Sequence, residues 1–382
     1  MTLLERQARV GKKLLATGNG RCNLSNLGCS VAHYHGSDPG FAEQVLAQLP
    51  VTATLELFHS LGVCTTVEEG GWVYPLTGQA STVLDVLRYE VARLGVTVRL
   101  EAPVEHLSRE GSSFLIRWPG GEQSSDRVIV AAGGRAAPQL GGTGDGVDLL
   151  QQLGHTSVSI FPGLVPLKTT CRHGRQLKGV KVAARAELGI GGEPADCEQG
   201  EILFTEYGLS GIPILQLSLA ANRARKQGQP VSVSLDLLPT WSMEQLERHL
   251  VERLSRRAEA PLDFALVGLV HKRLIPVLLR EASIADVRQL AGKLSPEQVG
   301  RIARLLKGWT FEVSGTLSWN HAQVMVGGIG TRDFDPASLE SRLVQGLFAA
   351  GEVLDITGDC GGFNLQWAWS SGHVAGVHAA GV

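Results

Sequence analysis

The first 26 residues constrain the fold most, because a short apolar run, an acid and a glycine-rich loop follow one another there. Thr2, Leu3 and Leu4 precede Glu5. This order predicts a buried parallel strand whose carboxylate faces the hydroxyl groups of a ribose at the carboxyl edge of a sheet. The loop after it reads GKKLLATGNGRCN, and its glycines permit positive φ, so that successive N–H groups can bind a pyrophosphate. A surface strand followed by a turn and solvated lysines is the alternative.

Two later stretches also combine a strand with glycines. Residues 126–134 read DRVIVAAGG and residues 346–352 read GLFAAGE. Such apolar runs, ending in small residues, predict buried parallel strands with turns that a ligand can approach. The sequence DCGGFNLQ at 359–366 then predicts a helix from about residue 364 to 379. Its N-terminus would present free N–H donors and a partial positive charge. A glycine-rich cap with nothing bound is the alternative.

Hydrophobic spacing and turn residues predict the other elements. They are helices over 41–61 and 81–94, a strand over 96–100, a hairpin over 104–118, a helix opened by GGTGDG at 141–146, a small antiparallel barrel or sheet from 167, and helices within 241–307. No strand runs directly into the glycine run at 141–146, and no other GxGxxG pattern occurs. We therefore expect no dedicated NAD(P)H domain.

Composition favours a cytoplasmic α/β protein with a small-molecule partner. The chain has 382 residues, 43% of them hydrophobic, and 47 glycines, which suits two or three domains and argues against disorder. A formal net charge of −2 gives no electrostatic case for a nucleic-acid surface. We expect no membrane span and no export signal. The six cysteines form no CxxC pair, which predicts reduced thiols. His33 and His35 form an HxH pair without a third ligand nearby, so we expect no metal.

Several stretches resemble a known family. GKKLLATGNGRCNLSN at 11–26 is similar to the GKK-LL-TG-GRCN-TN signature of the bacterial HI0933-like, or aminoacetone oxidase-like, FAD-dependent oxidoreductases. GEILFTEYGLSG at 200–211 resembles a second family motif, with Glu206 in place of its histidine. The residues at 346–366 resemble the third and most specific motif. The similarity extends, with gaps, over nearly the whole chain.

The resemblance implies an α/β fold with a Rossmann-like FAD-binding domain over 1–166 and 323–382. It also implies an inserted antiparallel β domain, a barrel, over 167–240 and 308–322, and a helical subdomain over 241–307. Family members begin with a strand and a GxGxxG turn about 20 residues before the ribose-binding acid. This chain starts inside or just before the second strand, so we expect the first strand, the glycine turn and the first helix to be absent.

The resemblance further implies which residues bind FAD. They lie in the three family motifs and in the adenine-facing segment: Glu5, Lys13, Thr17, Gly18, Gly20, Arg21, Cys22, Asn23, Val104, Ala132, Gly133, Gly134, Gly351, Glu352, Gly361, Gly362, Asn364 and Gln366. No catalytic acid or base stands out. Tyr74, Glu206 and His321 are candidates, and Cys22 and Cys360 could form a redox pair, although packing is the simpler role for each of them.

The implied activity is that of an FAD-dependent oxidoreductase in which the flavin accepts a hydride from, or passes one to, an unidentified small molecule. NAD(P)H could bind transiently as the reductant. Two alternatives remain open. The chain could be a truncated flavin-fold protein that no longer binds FAD and acts only as a binding or scaffold protein, because the missing glycine turn would supply the main pyrophosphate contact. It could also modify RNA, which the charge balance disfavours.

Overall fold

A computed structural model describes residues 1–170 and 172–381, so that Cys171, one of the six predicted reduced cysteines, lies outside the described residues. The chain divides into two compact units. We call Met1–Gly163 together with Trp319–Val382 unit 1, and Leu164–Ser318 unit 2.

Unit 1 contains two pairs of parallel strands. Thr2–Leu4 pairs with Thr97–Arg99, and Val128–Val130 pairs with Leu347–Ala349. The predicted strand before Glu5 is therefore confirmed, but it is half-buried and not fully buried. Among the described residues, it is hydrogen-bonded as a strand to Thr97–Arg99 alone. The strand predicted within 126–134 is also confirmed, as a three-residue strand.

The remaining strands of unit 1 are antiparallel. The predicted hairpin is part of a three-stranded sheet of His106–Glu110, Ser113–Trp118 and Gly121–Ser125. A second three-stranded sheet, with shorter strands, consists of Ser25–Asn26, Trp72–Pro75 and Thr65–Val67. Two strand pairs complete the set: Ser157–Gly163 with Val324–Ile329, and Thr357–Gly358 with Tyr34–His35.

The helices of unit 1 follow the hydrophobic spacing with one exception. They are Pro39–Gln48, Val51–Ser60, Ala80–Arg93, Asp145–Gln152 and Phe363–Ala380. The single helix predicted over 41–61 is wrong, because Pro50 separates two helices. Proline lacks the backbone N–H that a continuous helix needs and restricts the residue before it. The C-terminal helix, Phe363–Ala380, carries the buried Trp367, which packs edge-on against Phe41 in the main core of unit 1.

Unit 2 is built on the predicted barrel, which is closed. Its six strands, in hydrogen-bonded order, are Leu167–Thr169, Gly208–Ser210, Glu193–Phe204, Lys181–Ile190, Val231–Asp236 and Trp309–Thr316. In Val231–Asp236, every second residue is buried, as expected for a strand with one face toward the barrel interior.

The helices of unit 2 are Gly174–Leu177, Ile212–Lys226, Met243–Arg256, Leu262–Ala265, Ile275–Glu281 and Pro296–Lys307. Met243–Arg256 and Pro296–Lys307 each begin with a capping box, formed by Ser242 with Gln245 and by Ser295 with Gln298. Most of these helices fall within the predicted helical subdomain and share a compact unit with the barrel. The three-part division of the chain stays a prediction. In the part of the chain that the structure describes, no helix is both long and apolar enough to cross a membrane.

Candidate active site

A half-buried carboxylate joins three stretches of unit 1 that lie far apart in the sequence. Glu352 Oε2 accepts hydrogen bonds from Lys13 Nζ at 2.8 Å and from the Gly134 backbone N–H at 3.1 Å. Its Oε1 accepts from the Met325 N–H at 2.6 Å. We call these four residues the Glu352 junction. Glu352, in the turn after the 347–349 strand, therefore joins the glycine loop, the turn after the 128–130 strand and the start of the 324–329 strand at one point.

The positive charge of Lys13 balances the negative charge of Glu352 within the junction. The Lys13 and Glu352 side chains are 35% and 19% exposed, so that their ion pair is only partly screened by water. Charged partners shorten and strengthen hydrogen bonds, which fixes the Glu352 carboxylate between two strand ends. Its fourth acceptor position and the remaining Lys13 N–H donors are the polar groups that a ligand could reach.

The backbone beside the junction is open on one side. Gly133 and Gly351 have φ values of +71° and +75°. A Cβ added at Gly351 would meet nothing within 4 Å, and one added at Gly133 would meet only Glu352 Oε2, at 3.9 Å. Ala132, which precedes this turn, is exposed. A ligand can therefore approach the backbone here closely, which is the role that the sequence assigns to these residues.

The glycine loop adopts the predicted left-handed conformations. Gly18, Asn19 and Gly20 have φ values of +55°, +56° and +84°. Thr17 Oγ1 donates to the carbonyl of Leu14 at 2.7 Å and thereby closes the turn. Beyond it, Arg21 pairs with Glu68.

The Arg21 guanidinium lies over the Tyr74 ring at 4.0 Å. The ion pair raises the pKa of Arg21 and lowers that of Glu68. Burial raises the pKa of Tyr74, so this candidate acid stays protonated.

Three of the predicted FAD-binding residues, Glu5, Val104 and Asn23, make contacts within the protein itself. Glu5 Oε1 accepts from the Gln7 N–H at 2.8 Å, and Val104 packs against the main core of unit 1. The Asn23 amide nitrogen reaches the carbonyl oxygens of Ser25 and Val73 at 3.0 and 3.2 Å. Among the residues that the structure describes, Glu5 and Arg21 share no hydrogen bond with Glu352.

The C-terminal helix is fastened to the N-terminal segment. Asn26 Nδ2 donates to the Gly361 carbonyl at 2.9 Å. Ser25 Oγ donates to Gln366 Oε1 at 2.6 Å. Asn364 holds the loop before the helix, since its amide bonds both the N–H and the carbonyl of Gly358. The opening and closing stretches therefore fold together, as predicted.

Two of the predicted FAD-binding residues, Cys22 and Gln366, are fully buried. The Gln366 amide is 0% exposed, and any part that it plays in holding a ligand is indirect. The same holds for Cys22, whose thiol has its pKa raised to about 11 by burial and therefore stays protonated. A protonated thiol is a poor redox nucleophile, which favours packing as the role of Cys22. The five described cysteines form no disulfide bond.

Other candidates lie at the surface of their units. Glu206 is exposed and pairs with Lys178 at 3.1 Å in unit 2, and His321 is exposed in a turn of unit 1. Within the described ranges, no group of three or more metal-ligating side chains is arranged to hold a metal ion. Asp359 contacts both rings of the HxH pair and was not among the predicted site residues. The HxH spacing was the available signal for this cluster.

Parallel strands that end in glycine turns, together with an inserted closed barrel, define an α/β protein of the Rossmann class. A family model described as "HI0933-like protein Rossmann domain" matches residues 1–378, and the chain belongs to this family. The predicted resemblance and fold class are thereby confirmed.

Three relatives extend over almost the whole chain. A 3-dehydro-bile acid delta(4,6)-reductase of Clostridium scindens is 38% identical over 380 residues, which is 99% of this chain and 92% of the relative. Two ribosomal RNA dihydrouridine synthases are similar at lower identity. The one from Escherichia coli is 30% identical, over 97% of this chain and 89% of its own. The one from Haemophilus influenzae is 28% identical, over 99% and 92%. The expected enzyme class, an oxidoreductase, is confirmed.

Proposed function

We propose that the protein is an FAD-dependent reductase of a carbon–carbon double bond conjugated to a carbonyl group. The names of the relatives support this reaction type. A delta(4,6)-reductase saturates ring double bonds, and dihydrouridine is uridine with two hydrogens added across a double bond next to a carbonyl. The two substrates differ greatly in size and charge, but the bond that is reduced is of the same kind.

The observation that carries the proposal is the Glu352 junction with its open glycine backbones. Glu352 would accept a hydrogen bond from a hydroxyl of the FAD ribityl chain, and Lys13 would lie near the phosphates. Gly133 and Gly351 leave room for the cofactor against the backbone. When bound, FAD would supply the hydride for the reduction. The N-terminus of Phe363–Ala380 would stabilise negative charge on a nearby ring through its partial positive charge.

NAD(P)H remains our proposal for the transient reductant. The alternative of a flavin-free scaffold protein is not favoured, because the family relatives carry the names of enzymes and extend over nearly the whole chain. The predicted cytoplasmic location also stays a prediction.

A small molecule is the substrate that we propose first, as in the relative of highest identity among the three. A uridine in RNA is the second candidate, and the charge distribution favours it. Unit 2 holds 21 Lys and Arg against 16 Asp and Glu, a formal charge of +5, whereas unit 1 holds 14 against 21, a charge of −7. The net charge of −2 therefore conceals a positive unit, and positive units attract polyanions. The expectation of no nucleic-acid partner rested on the net charge of the whole chain and not on the charges of its two units.

The test is cofactor binding by matched variants. The purified protein should take up added FAD and show a flavin absorbance spectrum. Glu352→Gln should weaken FAD binding about tenfold, since a charge-assisted hydrogen bond of roughly 1.5–3 kcal/mol becomes a neutral one of roughly 0.5–1.5 kcal/mol. Glu340→Gln is the control, because Glu340 is a partly buried carboxylate that also accepts a backbone N–H, from Gly346, outside the junction. A wild-type protein that stays colourless would overturn the proposal. Equal FAD affinity in both variants would show that the cofactor does not contact the junction.

The substrate is tested separately. The FAD-loaded protein is reduced anaerobically and mixed either with 2-cyclohexenone and a 4-ene-3-keto steroid or with a uridine-containing RNA. Reoxidation by the enones supports the small-molecule proposal, and reoxidation by RNA alone supports the second candidate.

A further inference from the structure

A second titratable cluster lies in the loop before the C-terminal helix. Asp359 binds two histidine rings with its two carboxylate oxygens. His33 Nδ1 lies 3.0 Å from Oδ2, and His35 Nε2 lies 2.6 Å from Oδ1. The Asp359 backbone N–H also donates to the His33 carbonyl at 3.0 Å. The cluster is therefore held by both backbone and side-chain contacts.

Strand geometry explains why both histidines reach one carboxylate. Tyr34–His35 pairs antiparallel with Thr357–Gly358. Side chains alternate along a strand, so His35 lies on the face opposite Tyr34. His33 is the last residue of the short 3-10 helix Val31–His33, which leads directly into this strand. Tyr34 points into the core, where its hydroxyl donates to the Phe363 carbonyl at 2.9 Å.

The carboxylate fixes a different tautomer in each ring. An ionised Asp359 can only accept hydrogen bonds, so it selects the Nδ1–H form of neutral His33 and the Nε2–H form of neutral His35. The Nε2 atom of His33 makes no hydrogen bond within the described residues, and the side chain is 39% exposed. Its ring stacks on Phe363, with centroids 4.2 Å apart and planes 17° apart. A histidine held at Nδ1 by a carboxylate, with Nε2 free, is the arrangement that proton-transferring enzymes use.

We propose that His33 is the proton donor of the reduction and that Asp359 is its positioning residue. The inference rests on the proposed function, which places FAD at the N-terminus of Phe363–Ala380. Phe363 is the first residue of that helix, and only His33 of the two histidines has a ring contact with it. This contact favours His33 over His35 as the donor.

The step balances with the groups named. The hydride adds to the β carbon of the conjugated double bond, and the electron pair of that bond moves to the α carbon. The donor is the imidazolium form of His33, which carries a proton on Nε2 as well as on Nδ1. The α carbon takes the Nε2 proton, so that an N–H bond breaks, a C–H bond forms and the neutral Nδ1–H ring remains. Asp359 stays ionised and stabilises the imidazolium before transfer. His33 regains a proton from water, which its partly exposed side chain can reach.

The first test reads the tautomers without any cofactor. Long-range ¹H–¹⁵N correlation spectra of the ¹⁵N-histidine-labelled protein, at alkaline pH, should show His33 as Nδ1–H and His35 as Nε2–H. Asp359→Ala should return His33 to the Nε2–H form that a histidine side chain without partners prefers. A wild-type His33 in the Nε2–H form would show that Nδ1 does not donate to Asp359 and would overturn the positioning role of Asp359.

The second test follows reoxidation of the reduced, FAD-loaded protein by the enones named above. His33→Ala should slow reoxidation by about 100-fold or more, the usual contribution of a general acid, and added imidazole should restore part of the rate. His59→Gln is the control, because His59 is exposed near the end of helix Val51–Ser60 and has no part in the cluster, and it should change the rate less than tenfold. An unchanged rate in His33→Ala overturns this inference alone. A wild-type protein that binds no FAD or is not reoxidised by any enone overturns the proposed function instead.

Discussion

Replacing Gln366 with methionine tests whether its amide is a structural link of unit 1. Gln366 is fully buried, as are Ser25 and Thr54. Its Oε1 accepts from Ser25 Oγ at 2.6 Å, and its Nε2 donates to Thr54 Oγ1 at 2.8 Å. Methionine has nearly the same length and no polar group, so both hydroxyls lose the partner described here. Ser370, a further neighbour, keeps its hydrogen bond to the Leu49 carbonyl.

The expected cost follows from these two orphaned hydroxyls. A buried polar group without a partner costs about 1–3 kcal/mol, so the free energy of unfolding should fall by roughly 2–5 kcal/mol. For a unit of this size, each 1 kcal/mol lowers Tm by about 2–4 °C, which gives a shift of roughly 5–15 °C. Calorimetric or circular-dichroism melting measures it. Gln44→Met is the control, because Gln44 is exposed on helix Pro39–Gln48 and should change stability by less than about 0.5 kcal/mol.

A second substitution isolates the cause. Adding Ser25→Ala to Gln366→Met removes one orphaned hydroxyl and should recover about 1 kcal/mol, although Ser25→Ala alone destabilises. If Gln366→Met melts within 1 °C of the wild type, the assignment of this amide as a buried link is wrong. A strictly additive double variant would show that the two side chains do not interact.

Three further predictions concern other groups. Burial lowers the pKa of His155. The ring is therefore neutral in the folded protein, and stability should fall by up to about 1.4 kcal/mol per pH unit as pH drops below about 6.5. Urea titrations at two pH values give the free energy of unfolding at each pH. This free energy should change less with pH in His155→Gln than in the wild type. The Cys22 thiol should resist iodoacetamide in the folded state while the exposed Cys64 reacts, as judged by mass spectrometry; equal labelling would contradict its burial. Gly351→Ala should weaken FAD binding more than Gly228→Ala, although both glycines have nearly the same φ, +75° and +76°, and neither has a neighbour within 4 Å of an added Cβ.

The sequence could predict the strands that end in glycine turns, because local pattern and position determine them. Val128–Val130 and Leu347–Ala349 pair with each other and both end where the glycines begin. The barrel was also predictable, because a barrel strand buries one face. Apolar and polar residues therefore alternate along such a strand, and this alternation is visible in the sequence. The break at Pro50 was readable from the residue itself, but the apolar spacing on both sides obscured it.

Tertiary packing decided what could not be predicted. A glutamine at position 366 reads as a polar ligand residue, and only its neighbours show that it bonds within the core. Gly362 similarly suggests room for a flavin ring. The structure instead places the Ser25 carbonyl 2.4 Å from an added Cβ, so a valine there would displace the backbone whether or not FAD is bound. The Asp359 cluster depends on pairing between residues more than 300 positions apart, which no local pattern contains.

The barrel of unit 2 starts and finishes at neighbouring points. Leu167 in its first strand is paired with Thr316 in its last. A module whose two ends are adjacent can be exchanged between related hosts without stretching the host chain. Such exchange offers a simple evolutionary route by which one redox scaffold acquires new recognition surfaces while its chemistry stays the same.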